Sequence, residues 1–428
     1  MEYKQLQKSE EIRDVIRYLQ KFKNAVAVIY LDDKTIHSDL FSSHICDIAL
    51  LHSAGIKVVI IPGARTRIDQ ILNDSKLDWS YKDNIRITSE EAMPLIKMAA
   101  FDVSNTIMTS LAANNITATI GNWVRARAKG VVDGLDYGTA GEIDRLQVDA
   151  IKKVLEDGFI PIFPCIGWNS VGHPYNISTL NLAQQIAIEL KADKLFFVMQ
   201  DINGLSKDNQ IIPAMNLEEV DAFLEKSKNN IESQSVNILN LAKEACQKGV
   251  SRTHIVDGKL DGVLLTEIYS NLGSGTMIYT SNYGKIRSME QTDIPAVLAL
   301  MKPFIESGKL LPRNEEVLSK SFQDYVVYEI DGAIHASAAL HLYQDRQAEI
   351  AAVAVDENYA HMGIGPKIIN FLIEKAKKIN AKSVFILTTQ AGDWFEKLGF
   401  KKDEIDSLPA ERKAIWNPKR NSKVYRLK

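Results

Sequence analysis

The sequence predicts an α/β protein with two domains, and three observations support this. The chain has 428 residues, which is long for one domain. Short apolar runs alternate with helical patterns through residues 25–199, as expected for a parallel sheet covered by helices. A separate strand, glycine turn, helix and second strand occupy residues 349–388, and this order makes the two strands parallel.

Composition excludes several classes of protein. Apolar residues make up 46% and charged residues 25%, which is typical of a globular chain. A net charge of −3 argues against a general nucleic-acid binder. The three cysteines match no metal or disulfide spacing and suit a reducing compartment. The N-terminus is charged, and no apolar run approaches the ~20 residues that span a bilayer. We therefore expect a cytoplasmic protein without a metal, a membrane or a nucleic acid as partner.

The first domain is predicted to be an α/β/α sandwich. An amphipathic helix at residues 9–22 comes first and packs either on its own domain or on another subunit. A glycine-rich hairpin is expected at 130–143. The predicted strands lie at 25–31, 57–62, 117–121, 160–165 and 194–199, and later helices at 148–156 and 184–190.

Residues 20–280 resemble the amino-acid kinase fold in the order and wording of these segments. Phosphoryl transfer needs positive groups around the moving phosphate. Where kinases of this fold place lysine and glycine after the first strand, this chain has Asp32 and Asp33. Leu180 stands where an aspartate is expected, and a lysine is missing near Ile238. The resemblance therefore implies a kinase-like domain that is catalytically silent.

The run 252–278 resembles the signature of arginine-sensitive acetylglutamate kinases and synthases. Physically, Glu267 can pair with a guanidinium, and backbone N–H groups at Gly273 and Gly275 can take a carboxylate. By resemblance, Tyr18 closes over bound L-arginine. The alternative is a simple strand–helix–strand ending in which Glu267 is a solvated acid.

A domain boundary is expected near residue 283, giving domains at 1–283 and 284–428. A strand near Ile286 opens the second domain, and residues 292–295 cap a helix. Residues 325–340 form a hairpin around an Asp-Gly turn.

The glycine turn at 360–365 is the centre of the second domain. Two close glycines at a helix start leave backbone N–H groups exposed, and these can hold a phosphate. The turn resembles motif A of the GNAT N-acetyltransferases, which grips the pyrophosphate of acetyl-CoA, although Ala360 departs from the expected Gln or Arg. An ordinary helix start is the alternative. The cofactor-binding residues implied by the resemblance are Val353, Ala354, Val355, His361, Met362, Gly363, Ile364 and Gly365.

Acetyl transfer from a thioester to an amine requires a base, an oxyanion donor and a proton for the thiolate. Glu349 is a plausible general base, directly or through a water. A backbone N–H near Val353 suits the oxyanion, provided that the next strand diverges to admit the pantetheine arm. By resemblance to related synthases, Thr388 protonates the thiolate. The alternatives are a strand-end acid for Glu349 and a structural role for Thr388.

The acceptor is expected to be a dicarboxylate, because arginines suit carboxylates bidentately. Arg313, Arg420 and Ser422 resemble the glutamate-binding positions of bacterial acetylglutamate synthases. The alternative is a solvated basic tail that aids solubility. Its other cations are Arg412, Lys413, Lys419, Lys423, Arg426 and Lys428.

Taken together, the two domains resemble the N-acetylglutamate synthase family over nearly the whole chain. The resemblance implies transfer of acetyl from acetyl-CoA to L-glutamate, the first step of arginine biosynthesis, with allosteric inhibition by L-arginine in a homo-oligomer. Two other functions stay open at this point. One is an active acetylglutamate kinase-type phosphotransferase, and the other is a non-catalytic arginine sensor.

Overall fold

The computed structural model describes residues 16, 19–20, 22–82, 84–87, 89–200, 205–207, 210–226, 233–269, 274–280, 284–330, 332–357, 359 and 363–427. The chain divides into two compact units, Met1–Ser281 and Asn282–Lys428.

The first unit is built on an eight-stranded sheet with the order β16-β18-β17-β13-β1-β2-β10-β5. Neighbouring strands are parallel except for the antiparallel pair β17–β18. Its strands are β1 (Val26–Leu31), β2 (Lys57–Pro62), β5 (Ala118–Ile120), β10 (Ile160–Ile162), β13 (Lys194–Met199), β16 (Ala214–Asn216), β17 (Arg252–Asp257) and β18 (Thr276–Tyr279).

Short strands form smaller sheets beside it. A four-stranded sheet has the order β12-β11-β6-β9, and three separate hairpins pair β3 with β4, β7 with β8 and β14 with β15. These strands are β3 (Ser80–Lys82), β4 (Ile85–Ile87), β6 (Val124–Ala128), β7 (Val131–Val132), β8 (Leu135–Asp136), β9 (Gly141–Leu146), β11 (Ile166–Trp168), β12 (Pro174–Asn176), β14 (Ser206–Lys207) and β15 (Gln210–Ile211).

Helices cover both faces of the large sheet. They are α1 (Asp33–Ile36), α2 (Phe41–Ser53), α3 (Arg65–Asp74), α4 (Met93–Ala113), α5 (Val148–Glu156), α6 (Thr179–Leu190), α7 (Leu217–Lys226), α8 (Ser233–Gln247) and α9 (Val263–Tyr269).

Alternate side chains of the central strands enter two separate cores, one on each face of the sheet. On β1, Ile29 packs with α2, α3 and α4, while Val28 packs with α5, α6 and α8. The predicted α/β/α sandwich is therefore confirmed. The helix expected at 184–190 begins earlier, because the hydroxyl of Ser178 accepts the N–H of Asn181 at 3.3 Å and caps α6.

The second unit is built on a seven-stranded sheet with the order β19-β20-β21-β22-β23-β25-β24, in which β22–β23 is the parallel pair. Its strands are β19 (Gly284–Ser288), β20 (Tyr325–Ile330), β21 (Ala333–Leu342), β22 (Gln347–Val355), β23 (Ser383–Thr388), β24 (Lys401–Asp403) and β25 (Lys423–Leu427). Its helices are α10 (Ile294–Glu306), α11 (Glu315–Ser321), α12 (Ile364–Lys378), α13 (Gly392–Lys397) and α14 (Ala410–Ala414).

The second unit also has 3-10 helices of three residues each. Two precede β20, at Gln291–Asp293 and Phe322–Asp324, and two follow β24, at Ile405–Ser407 and Pro418–Arg420. The cap predicted at 292–295 is not a side-chain cap of α10. A capping box lies one turn earlier, where Glu290 and Asp293 cap the 3-10 helix Gln291–Asp293 that leads into α10. No helix in the described ranges is long and apolar enough to cross a membrane.

Candidate active site

The glycine turn ends on the N-terminus of α12. Gly363 caps the helix with φ +64°, a left-handed conformation that glycine adopts without strain. Gly365 lies in the first turn, where an added Cβ would come within 3.0 Å of the Trp394 ring. The helix begins at Ile364, so Pro366 is its third residue and lies in its first turn. Gly363 is thus needed for its backbone conformation, and Gly365 for close packing against Trp394.

Strands β22 and β23 separate beyond their first four paired residues. Their parallel register runs from Gln347–Ser383 to Ile350–Ile386 and stops there, while β22 continues to Val355. The predicted divergence of the two strands is confirmed. Backbone N–H and C=O groups of residues 351–355 that face this side therefore have no partner in β23.

A β-bulge lies inside the diverging part of β22. Its register with β21 shifts by one residue between Ser337 and Ala339, and Ala352 adopts φ +53°. A bulge leaves one residue out of the ladder and redirects its neighbours. Val353 follows Ala352 directly and is half-buried, which places the expected oxyanion donor beside this irregularity.

Glu349 is a buried, ion-paired carboxylate. Its Oε2 accepts a hydrogen bond of 2.6 Å from the Tyr343 hydroxyl and one of 2.8 Å from Arg412 Nε. Burial and the nearby Glu349 charge raise the pKa of the Tyr343 hydroxyl, so that it stays a donor throughout the physiological range. The alternative of a solvated strand-end acid is wrong for Glu349, since its side chain is 6% exposed.

Thr388 ends β23 and organises the turn that follows. Its hydroxyl oxygen accepts the backbone N–H of Ala391 at 3.0 Å and that of Gln390 at 3.4 Å. These contacts support the structural alternative. They use the oxygen as an acceptor, and its O–H can still be donated to a leaving thiolate.

Three arginines from separate segments approach one another. Burial lowers the pKa of Arg420, and the charges of Arg313 and Arg412 lower it further. Arg420 also donates to the backbone carbonyl of Lys309 at 2.8 Å, and Arg313 donates to that of Leu311 at 3.2 Å. Ser422 is half-buried, just before β25. Mutual repulsion among these cations creates a site that favours an anion.

Arg412 was not predicted as a site residue, and the solvated-tail alternative is wrong for it and for Arg426. The Arg412 side chain is 14% exposed and that of Arg426 9%. Arg426 donates to Asp403, Gln347, Ser383 and Ser407 over distances of 2.5 to 3.0 Å. Sequence offered no signal that separates these two arginines from the other basic residues of the tail.

In the first unit, Asp32 and Asp33 follow β1 and cap backbone N–H groups. Asp32 accepts from Thr35 N at 2.7 Å and from Gln200 N at 3.1 Å. Asp33 accepts from Thr66 N at 2.7 Å, at the start of α3. Burial raises the pKa of Asp32, while these hydrogen bonds act to lower it. The two carboxylates thus occupy donors of the kind that otherwise bind phosphate.

Glu267 on α9 is enclosed rather than solvated. Its oxygens accept His254 Nδ1 at 2.9 Å and the N–H of Gly275 at 3.2 Å. Burial acts to raise the pKa of Glu267, but the His254 and Gly275 hydrogen bonds and the Lys194 charge outweigh it and lower the pKa. The solvated alternative is therefore wrong for Glu267.

The remaining predicted residues lie outside the described part of the chain. These are Tyr18, Gly273, His361 and Met362. Within the described ranges, no group of three or more His, Cys, Asp or Glu side chains is arranged to hold a metal ion.

Comparison with known proteins matches both units. The amino acid kinase family model matches residues 31–257, and the acetyltransferase (GNAT) family model matches residues 295–400. The amino-acid acetyltransferase of Pasteurella multocida (strain Pm70) is 33% identical over 415 residues, which cover 95% of this chain and 94% of the relative. This chain belongs to the amino-acid acetyltransferase family. It is therefore an acyltransferase with an amino-acid kinase fold and a GNAT domain.

Other similar proteins also match this chain over nearly its whole length. The enzyme of Vibrio vulnificus (strain CMCP6) is 31% identical over 426 residues, covering 96% of both chains. The N-acetylglutamate synthase of Neisseria gonorrhoeae, solved with coenzyme A and L-arginine, matches with a TM-score of 0.81 at 27% identity. The same enzyme, solved with coenzyme A and N-acetyl-glutamate, matches with a TM-score of 0.63 at 28% identity. Both comparisons cover 98% of each chain.

Proposed function

We propose that this protein transfers the acetyl group of acetyl-CoA to the α-amino group of L-glutamate, giving N-acetyl-L-glutamate and CoA. The observation that carries the proposal is a group of three arginines, in which the charges of Arg313 and Arg412 act on Arg420 and Arg412 also donates to the buried Glu349. A dicarboxylate acceptor needs such anchors, because guanidinium groups bind carboxylates through paired N–H donors. The solved N-acetylglutamate synthase supports the same acceptor.

Acetyl-CoA is the proposed acetyl donor. Its pyrophosphate would rest on the N-terminus of α12, where Gly363 and Gly365 keep the backbone free of Cβ atoms and the helix dipole favours an anion. Its pantetheine arm would enter the gap between β22 and β23. Ala354 is buried beneath this gap, while Val353 and Val355 are half-buried along it. His361 and Met362 complete the proposed cofactor-binding set.

The chemistry proposed is direct attack by the amine without an acyl-enzyme. Glu349 takes a proton from the ammonium group, directly or through a water, so that the amine attacks the thioester carbonyl. The Val353 N–H stabilises the oxyanion, and the C–S bond then breaks. Thr388 donates the proton that the departing thiolate needs.

The first unit is proposed as a silent kinase-like domain that binds L-arginine and inhibits the reaction. Phosphoryl transfer is disfavoured because Asp32 and Asp33 place negative charge among the backbone donors at the end of β1. For arginine binding, Glu267 would exchange its bond to His254 for the ligand guanidinium. Gly273 and Gly275 would hold the ligand carboxylate, and Tyr18 would close over it.

A thiol-release assay with acetyl-CoA tests the reaction. We expect release with L-glutamate, weak release with aspartate or glutamine, and a lower rate when L-arginine is added. No release with any amino acid would leave the arginine-sensor alternative. ADP formed from ATP and N-acetyl-L-glutamate would establish the kinase alternative instead.

The arginine site is tested with Glu267→Gln, which keeps the shape and one carbonyl acceptor of this side chain. We expect inhibition by L-arginine to weaken at least tenfold, because a neutral amide lacks the charge that pairs with a guanidinium. Glu142→Gln, which alters an exposed ion pair in the same unit, is the matched control. Unchanged inhibition in Glu267→Gln would place the effector elsewhere.

A further inference from the structure

The contact between Arg412 and Glu349 uses one edge of the guanidinium. Arg412 Nε donates to Glu349 Oε2, and the side chains are 14% and 6% exposed. Among the described residues, the side chain of Arg412 donates to Glu349. The Nη1 and Nη2 groups of Arg412 are not engaged by any of these described residues. These two groups are the part of an arginine that binds a carboxylate bidentately.

Arg412 therefore stands between two anions of the proposed reaction. One is Glu349, already bound to Nε. The other is a carboxylate of the acceptor, which the nearby charges of Arg313 and Arg420 would attract. Both contacts recorded for Glu349 are to Oε2, since Tyr343 donates there as well, so Oε1 is the oxygen that remains for a proton.

We propose that Arg412 keeps Glu349 inactive until the acceptor binds. A carboxylate paired with a guanidinium is a weak proton acceptor, because the positive charge favours its ionised form. When the acceptor carboxylate binds Nη1 and Nη2, it shares that positive charge and adds a negative charge nearby. Both changes weaken the hold of Arg412 on Glu349 and release this carboxylate to act as the base. This inference rests on the proposed function, since it takes Glu349 as the base and a dicarboxylate as the acceptor.

The device protects acetyl-CoA from water. In hydrolysis, a water oxygen attacks the thioester carbonyl and gives one proton to Glu349. Breakage of the C–S bond then forms acetic acid, which keeps the second proton of the water until it ionises in solvent. The thiolate takes the proton back, and CoA leaves as the thiol. While Arg412 holds Glu349 in the empty site, this step lacks its base. Acetyl-CoA is therefore consumed only after an acceptor has bound.

The wild-type protein provides the first test, with glutarate as the probe. Glutarate has both carboxylates of glutamate but no amino group, so it binds the arginines and leaves the attack to water. We expect glutarate to increase acetate and thiol release from acetyl-CoA about tenfold over the acceptor-free rate. Butyrate, which lacks one of the two carboxylates of glutarate, is the control ligand. No increase at glutarate concentrations that compete with glutamate would overturn the proposal.

Substitution of Arg412 provides the second test. Arg412→Met removes the charge and should raise acceptor-free hydrolysis about tenfold while transfer to glutamate falls. Arg412→Lys keeps the charge without the paired donors, so it should keep hydrolysis low and weaken glutamate binding. Lys413→Ala, on the same helix, is the matched control. Wild-type hydrolysis in a folded Arg412→Met that still binds CoA would contradict the mechanism.

The same variants separate this inference from the proposed function. Glu349→Gln added to Arg412→Met should return hydrolysis to the wild-type rate, which identifies Glu349 as the base. If the wild-type protein transfers no acetyl to glutamate, the proposed function fails. If Glu349→Gln alone transfers acetyl to glutamate at the wild-type rate, the assignment of Glu349 as the base fails. If Glu349→Gln is inactive but neither glutarate nor Arg412→Met increases hydrolysis, the coupling alone fails.

Discussion

Arg426 Nη1 donates a hydrogen bond of 2.6 Å to Oε1 of Gln347, two residues before Glu349 on the same strand. Arg426 also binds the carbonyl and hydroxyl of Ser407, close before the helix that carries Arg412. One guanidinium on β25 therefore fixes both the strand of Glu349 and the loop that leads to its ion-pair partner.

Loss of Arg426 should destabilise the second unit and disturb this arrangement. Arg426→Ala removes the guanidinium that pairs with Asp403 and donates to Gln347, and we expect a loss on the order of 3 kcal/mol in the free energy of unfolding. Urea unfolding measures it. Arg346→Ala, which removes a contact of an exposed arginine to a backbone carbonyl, should change stability far less. Equal losses in the two variants would contradict the role given to Arg426.

The bulge in β22 predicts a stabilising substitution. Ala352 is buried and adopts φ +53°, which costs an L-residue with a Cβ about 1 kcal/mol. Ala352→Gly should relieve this strain and offset the larger entropy of the unfolded chain, so that stability stays within about 1 kcal/mol of wild type or increases. Ala352→Val should destabilise clearly, because branched residues tolerate positive φ poorly. Thermal unfolding of both variants decides this, and a stable Ala352→Val would contradict the bulge.

Gly365 and Trp394 should be energetically coupled. A Cβ at residue 365 would lie 3.0 Å from Cζ2 of the Trp394 ring. Gly365→Ala should therefore cost about 1–3 kcal/mol by overpacking, and much less when Trp394 is already leucine. A double-mutant cycle measured by urea unfolding tests this. Additive effects would mean that the ring moves freely and that the glycine is needed only for close approach of the cofactor.

The caps at the end of β1 should be structural. Asp33→Ala removes the acceptor of the Thr66 N–H and should cost about 1–2 kcal/mol in unfolding free energy. Asp33→Asn keeps an oxygen acceptor and should cost less. Neither variant should release ADP from ATP. ADP release by either one would show that the carboxylate charge alone suppresses a kinase site.

Acid should weaken the first unit through His254. Burial lowers the pKa of His254 to about 4, helped by the Lys194 charge. Between about pH 6.5 and 4 the unfolded chain binds a proton here that the folded chain does not, so stability is full above pH 6.5 and falls toward pH 4. The loss is on the order of 3 kcal/mol. The lowered pKa of Glu267 adds a loss of the same sign at lower pH.

His254→Asn provides the comparison for this pH dependence. Its side-chain amide can still donate to Glu267 but does not titrate. Urea unfolding at pH 5 and pH 7.5 should show a smaller difference for His254→Asn than for the wild type. The same difference in both proteins would assign the acid sensitivity to other groups.

Local patterns were sufficient to predict much of the fold. The strands Lys57–Pro62 and Lys194–Met199 and the helix Val148–Glu156 have their predicted bounds, because each is a short periodic run with clear ends. The turn at Gly363 was predictable for the same reason, since its chemistry lies in adjacent residues.

The contacts that complete the site are not local. Arg412 and Glu349 are 63 residues apart, and Arg426 and Gln347 are 79 residues apart. The pairing of β25 with the rest of the sheet decides which basic residues of the tail become buried. The local sequence pattern does not predict that pairing.

The carboxylates of Asp32 and Asp33 give the first unit its own acceptors for the backbone donors at the end of β1. In a domain whose backbone donors rely on a bound phosphate, these N–H groups lose their acceptor when the ligand is absent. In this chain the two side chains supply the acceptors at all times. Replacing either residue by one with an apolar side chain would leave backbone donors at the end of β1 without their acceptors, whether or not a nucleotide is present.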